Sequence, residues 1–197
     1  MRLLSLLVLI MALGAAPSAG EPGYRAEAPL PVGWPEPGAP GEIQLVMLPA
    51  VRAAEAGGFW PLFVHISDAG IPMTAPVTMP LGSGTGRSAG MRFLYPSAST
   101  PAAATRAGVR VLDQAAAPVL RIAHRGAMTS PIGRGLLARL REAAAERGLA
   151  AAGEPMLFGY NGPSTRASQR TWEVVLPVAA ATAAIPAMPA LPAAAAR

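Results

Sequence analysis

The chain has no cysteine and no lysine. The first absence excludes disulfides, zinc–thiolate sites, iron–sulfur clusters, thiol nucleophiles and thiolate-ligated haem. It also excludes a lipid-anchored export signal, which needs a cysteine. The second makes every side-chain cation apart from histidine an arginine. The arginines are scattered, with no run of adjacent basic residues, so the net charge of +5 reads as a basic solvated surface. A nucleic-acid binder would gather its cations into a patch or stripe, with aromatics to stack bases, and none is expected here. Charged residues are only 14% and aromatics 5%. Paired carboxylates for acid–base chemistry are lacking, and Glu142 and Glu146 belong to a solvent-facing helix surface. There is no G-x-S-x-G elbow, and Ser67-Asp68 lies near His65 only in sequence. Gly82 to Gly86 sits between two strands rather than before a helix, which suits a hairpin loop better than a phosphate cradle. No enzymatic activity is expected.

What is present divides the chain into four parts. Residues 1–19 read as a secretory signal, with Arg2, an apolar run from Leu3 to Leu13, and small residues at Ala15, Ala16, Ser18 and Ala19. The run is too short to cross a bilayer, which takes about 20 residues, so the mature chain is expected to be exported, periplasmic or extracellular, and not membrane-spanning. Residues 20–41 are a Pro/Gly-rich lead-in that Trp34 docks onto the domain. Residues 42–178 form the domain. Residues 179–197 are an Ala/Pro tail, read as disordered.

Periodicity gives the elements of the domain. Ile43 to Ala54 reads as one strand. Phe59, Leu62, Phe63 and Ile66 recur at i, i+3, i+4 and i+7, the apolar stripe of a short helix with Pro61 in its first turn. From Ile71 the period becomes two: Met73, Ala75, Val77 and Met79 alternate with Thr74, Pro76, Thr78 and Pro80, which predicts a strand over 73–81 with the first set inward. Further strands are expected at Met91–Pro96, Val109–Asp113, Val119–Arg125, Met156–Asn161 and Thr171–Val178. Ser130 is the expected N-cap of a helix that buries Leu136, Leu137 and Leu140 and stops at Gly148. Each half is therefore strand–helix–strand–strand, with one extra strand at the centre. The fold class is α+β.

The run from Phe59 to Val77 resembles the signature of the SOUL haem-binding family, an F-x-x-L-x-x-Y-I helix followed by an I-x-M-T-x-P-V strand. Tyr160-Asn161-Gly162-Pro163 and Trp172-Glu173-Val174 are similar to its later turn and closing strand, so the resemblance spans roughly residues 42–178. It implies duplicated β-α-β-β units forming a twisted, barrel-like antiparallel sheet with two helices. It also implies binding of haem or a related tetrapyrrole as ligand, without catalysis. A tetrapyrrole needs an apolar slot, for which Phe59, Phe63, Ile71 and Met73 are candidates. His65 is the candidate axial donor to the metal, and His124 is a second possible contact. Arg121 and Arg125 project from the face opposite His124 and read as solvated. The same slot could instead hold another amphipathic small molecule. A third reading is an envelope structural or interaction protein without a ligand.

Overall fold

The computed structural model describes residues 24, 26–81, 90–104 and 107–180. The expected signal segment 1–19, the Gly/Ser loop at 82–89 and the tail beyond residue 180 lie outside the described residues. The strands are β1 (Ile43–Leu48), β2 (Val51–Ala56), β3 (Val77–Pro80), β4 (Met91–Leu94), β5 (Val109–Gln114), β6 (Ala117–Arg125), β7 (Leu149–Ala151), β8 (Met156–Gly159) and β9 (Thr171–Ala180). The helices are α1 (Phe59–Asp68), between β2 and β3, and α2 (Ser130–Glu146), between β6 and β7. The strands form one antiparallel sheet in the order β1-β6-β9-β8-β3-β4-β2-β5, with β7 added to the far end of β9.

One long ribbon shapes this sheet. The expected strand Ile43–Ala54 is two strands, broken at Pro49-Ala50, where proline cannot donate to a ladder. Its partner breaks opposite, at Ala115-Ala116. The register nevertheless runs straight through: Leu48 faces Ala117 and Val51 faces Gln114. Beyond the break β2 also pairs with β4, and β6 also pairs with β9. Consecutive strands thus sit near opposite ends of the sheet. Six strand spacings of about 4.8 Å would part them by roughly 29 Å in a flat sheet, whereas the three residues from Leu48 to Val51 reach about 10 Å at most. The sheet must therefore curl into an open barrel. It does not close, since β1 and β5 do not pair.

Curling gives the sheet an inner and an outer face. Val51, Ala53, Leu94, Val119, Phe158, Tyr160 and Val175 pack inside. Outside, α1 covers Ala54, Ala56, Phe93, Tyr95 and Val109, and α2 covers Leu120, Ile122, Val174 and Leu176 with Leu137 and Leu140. Thr129, rather than Ser130, caps α2, its hydroxyl accepting from the Ile132 N–H at 3.4 Å. Gly148, at φ +62°, ends the helix as expected.

Two expectations change inside the sheet. The strand expected over 73–81 is regular only over β3, and its faces are reversed: Thr78 and Pro80 are buried, Val77 and Met79 half-buried. Alternation fixes which residues share a face, not which face is inside, and here α1 covers the outer one. Before β3, Pro72 and Pro76 offer no N–H, and the Ala75 N–H goes to Pro29 O at 3.0 Å instead of to a strand. That acceptor belongs to the lead-in, which is a strap through the barrel mouth. Trp34 is 7% exposed and lies against Phe158, with ring centroids 5.7 Å apart. Val32 N–H donates to Pro96 O, and Pro40 bridges Ala123.

Because Trp34 fills the barrel interior, Trp34→Ala is expected to cost about 3–5 kcal/mol of unfolding free energy in a urea titration. A cost under about 1 kcal/mol would show the strap to be a mere surface attachment.

Candidate functional site

The helix α1 sits on alanines, Ala54 and Ala56, whose small side chains admit its backbone close to the sheet. Its buried side is Leu62, His65 and Ile66, so the apolar stripe expected from Phe59, Leu62, Phe63 and Ile66 is rotated. His65, expected at the edge of that stripe, is 1% exposed. The cause is a partner on β4's extension: His65 Nε2 lies 2.9 Å from the buried Tyr95 hydroxyl. A buried imidazole needs such a partner, and Tyr95 supplies it where the sheet is deepest. Phe59 and Phe63 turn outward instead, 43% and 38% exposed. They stack on each other at 5.8 Å, and Trp60 stacks on Phe63 at 5.7 Å.

Beyond the C-terminal half of α1 lies a half-open cleft of about 600 Å³, within the usual range for small-molecule sites. One wall is His65, Asp68, Ala69, Gly70, Ile71 and Pro72. The other is the segment from Thr100 to Ala104. The second wall is pinned in three places. Arg52 Nη1 donates to Thr100 O at 2.7 Å while its Nε pairs with Asp113 at 2.7 Å. Ser97 N–H donates to Thr100 Oγ1. The Ala103 backbone hydrogen-bonds to the Tyr95 hydroxyl. With two lone pairs and one proton, the Tyr95 hydroxyl can accept from the Ala103 N–H and still hydrogen-bond His65 Nε2. Burial raises the Tyr95 pKa, with Ala103 and Arg52 pulling the other way. The hydroxyl therefore keeps its proton at neutral pH.

Of the residues expected in a single slot, only His65 and Ile71 line this cleft. Phe59 and Phe63 are outside it, and Met73 is half-buried in the apolar cluster beneath α1. His124 lies on the sheet face that α2 covers, with Nε2 3.4 Å from Ala127 O. Among the described residues no group of three His, Cys, Asp or Glu is placed to hold a metal.

A second polar cluster escaped the sequence reading. Arg121, expected in solvent, is 6% exposed and Glu173 is 0% exposed. Arg121 Nη1 is 3.2 Å from Glu173 Oε1, and its Nε and Nη2 donate to Gln44 Oε1. Tyr160 donates to Glu173 Oε2 at 2.6 Å, and the strap's Gly38 N–H donates to Oε1 at 2.9 Å. Burial first, then the charge and hydrogen bond of Glu173, raise the Tyr160 pKa well above its usual value. Both oxygens of Glu173 are taken by donors of the chain itself, so this cluster is a structural tie. The one available signal was alternation: Arg121 faces away from Leu120 and Ile122, and a sheet covered on both faces has no solvent side.

The sequence profile of the SOUL heme-binding protein family matches residues 44–177. No curated protein matches the chain. The structure is similar to EcmrR in a cryo-EM complex with DNA, at 13% identity and TM-score 0.57 over 71% of this chain; it spans 57% of that longer chain. It is also similar to the crystallised EcmrR C-terminal domain, at 14% identity and TM-score 0.56, covering 71% of this chain and 98% of that one. A hydrolase from Listeria innocua is similar at 12% identity and TM-score 0.50, over 72% and 94% of the two chains. At these identities the likeness is one of fold alone.

Glu173→Gln leaves the buried Arg121 uncompensated and is expected to cost about 3–5 kcal/mol in chemical denaturation. The tyrosines set a second expectation. A pKa raised on folding gives stability that is intact below the unfolded value and lost as pH climbs through the folded one. Thermal stability should thus decline above about pH 10, and Tyr160→Phe should flatten that decline.

Proposed function

This chain belongs to the SOUL heme-binding protein family, and we propose that it is a non-catalytic binder of haem or a related tetrapyrrole, working after export. The signal-like residues 1–19 support export. The observation that carries the binding reading is the cleft between α1 and the Thr100–Ala104 wall. Its volume of about 600 Å³ and its mostly apolar lining of Ile71, Pro72, Pro101 and small alanines suit the face of a flat macrocycle. No arginine lines it, and Asp68 does. The carboxylate edge of such a ligand would therefore face out through the open side into water.

The fit to the metal is poorer than the fit to the ring. His65 stands at the floor, but axial ligation through Nε2 would require it to leave Tyr95. Apolar contact with the walls supplies the binding energy in this reading, with His65 and Tyr95 holding the floor rigid. The same bond argues against hydrolysis. With Tyr95 on Nε2, His65 is not poised as a base toward Ser67, which does not line the cleft.

Titration of residues 20–197 with haemin and with metal-free protoporphyrin tests this. Both should saturate at one per chain with dissociation constants within a factor of about ten of each other. Ala102→Trp, which fills the cleft from its wall, should abolish both. Saturable haemin binding with no porphyrin binding would transfer the role to iron ligation. Binding of neither would overturn the reading.

A further inference from the structure

The barrel interior keeps a space that neither the strap nor the sheet fills. It measures about 120 Å³ and lies beside Trp34, with Val51, Val119, Phe158 and Val175 as apolar walls. None of these five side chains is more than 7% exposed. Close packing leaves few interior voids larger than a water molecule, and an empty one deprives its lining of dispersion contacts. The space is not sealed. Pro49 and Ala115, at the two breaks of the ribbon, also line it, and Ala115 is exposed. The interior therefore opens outward where the ladder is interrupted.

The lining sets the chemistry of an occupant. Among the described residues that line the space none is charged, so an ion would enter without a counter-charge. Beyond the indole of Trp34, the polar side chains are the half-buried Gln114 and Thr78, which is 2% exposed. The neighbouring Thr74 donates to Leu94 O at 2.7 Å. The Thr78 hydroxyl has no hydrogen-bond partner among the described residues, although a buried hydroxyl ordinarily finds one. A water would satisfy it and leave the apolar walls without contact, whereas a ring carrying one oxygen does both. Size gives the upper limit. An apolar cavity of about 150 Å³ takes benzene, and the unbranched Met156, half-buried in the lining, is an adaptable wall.

We propose that the space beside Trp34 is a second binding site, which takes a neutral molecule of one ring whose single oxygen pairs with Thr78. The site is separate from the cleft on α1 and does not depend on what that cleft holds.

Methyl NMR of residues 20–197, which contain every described element, tests the proposal with phenol, benzene and benzoate as probes. Phenol should shift the signals of Val51, Val119 and Val175 saturably, with a dissociation constant of about 1 mM or below. Benzene should bind about fivefold more weakly or worse, and benzoate should leave the three signals in place. Thr78→Val keeps the shape of the side chain and removes its hydroxyl. It should bring phenol to the affinity of benzene and leave benzene unchanged. Ala117→Leu, which fills the space from the ribbon break, should abolish both. Unshifted valine signals with phenol, or shifts at Ile71 of the outer cleft instead, overturn the proposal. Equal affinity for phenol and benzene in the wild-type chain overturns it as well, and that comparison stands whether or not the variants fold.

Discussion

A single carboxylate without access to water ties the molecule together. Glu173, on β9, accepts from Arg121 on β6, from Tyr160 just after β8 and from the strap's Gly38 N–H. Four segments distant in sequence therefore meet on two oxygen atoms. Removing a charge from water costs several kcal/mol, and only complete satisfaction of the group makes the site tolerable. That condition is strict. The strap must lie where Gly38 can donate, and β6 and β9 must keep the register that sets Arg121 beside Glu173. The tie thereby selects one arrangement of strap and sheet, beyond what apolar packing alone would distinguish.

The ribbon of β1–β2 against β5–β6 imposes the second constraint. Its unbroken register through Pro49 and Ala115 makes the sheet curl, and curling creates an interior too small for much beyond the strap. The cleft of about 600 Å³ lies outside the sheet, against α1. The outer surface offers two features, both on α1: the cleft at its C-terminal half and the aromatic surface at its start. One short helix divides its circumference between a buried histidine and exposed rings.

Much of the architecture was legible in the residues. The period of 3.6 in Phe59–Ile66 and in Leu136–Leu140 located both helices, and Pro131 and Gly148 bounded the second. Alternation found the strands, and the resemblance to the SOUL family named their arrangement. The failures share a cause. Whether α1 buries Phe63 or His65 is decided by Tyr95, thirty residues away in sequence, and no local pattern carries that. The faces of Thr78 and Arg121 were misjudged because alternation does not say whether a sheet is covered on one side or on both. Trp34 announced that the lead-in docks, but nothing local announced that Gly38 donates to Glu173.

The strap also fixes an order of assembly. Gly38 and Glu173 are separated by 135 positions, as are Glu27 and Gly162. Pro29 and Val32 find their partners Ala75 and Pro96 early in the chain, whereas Glu27 and Gly38 wait for Gly162 and Glu173. Trp34 likewise waits for its ring partner Phe158. Contacts of such long range slow folding and prolong the interval in which apolar surface can be captured by other chains. The tie that fixes the finished molecule is thus completed only when the two ends of the chain meet.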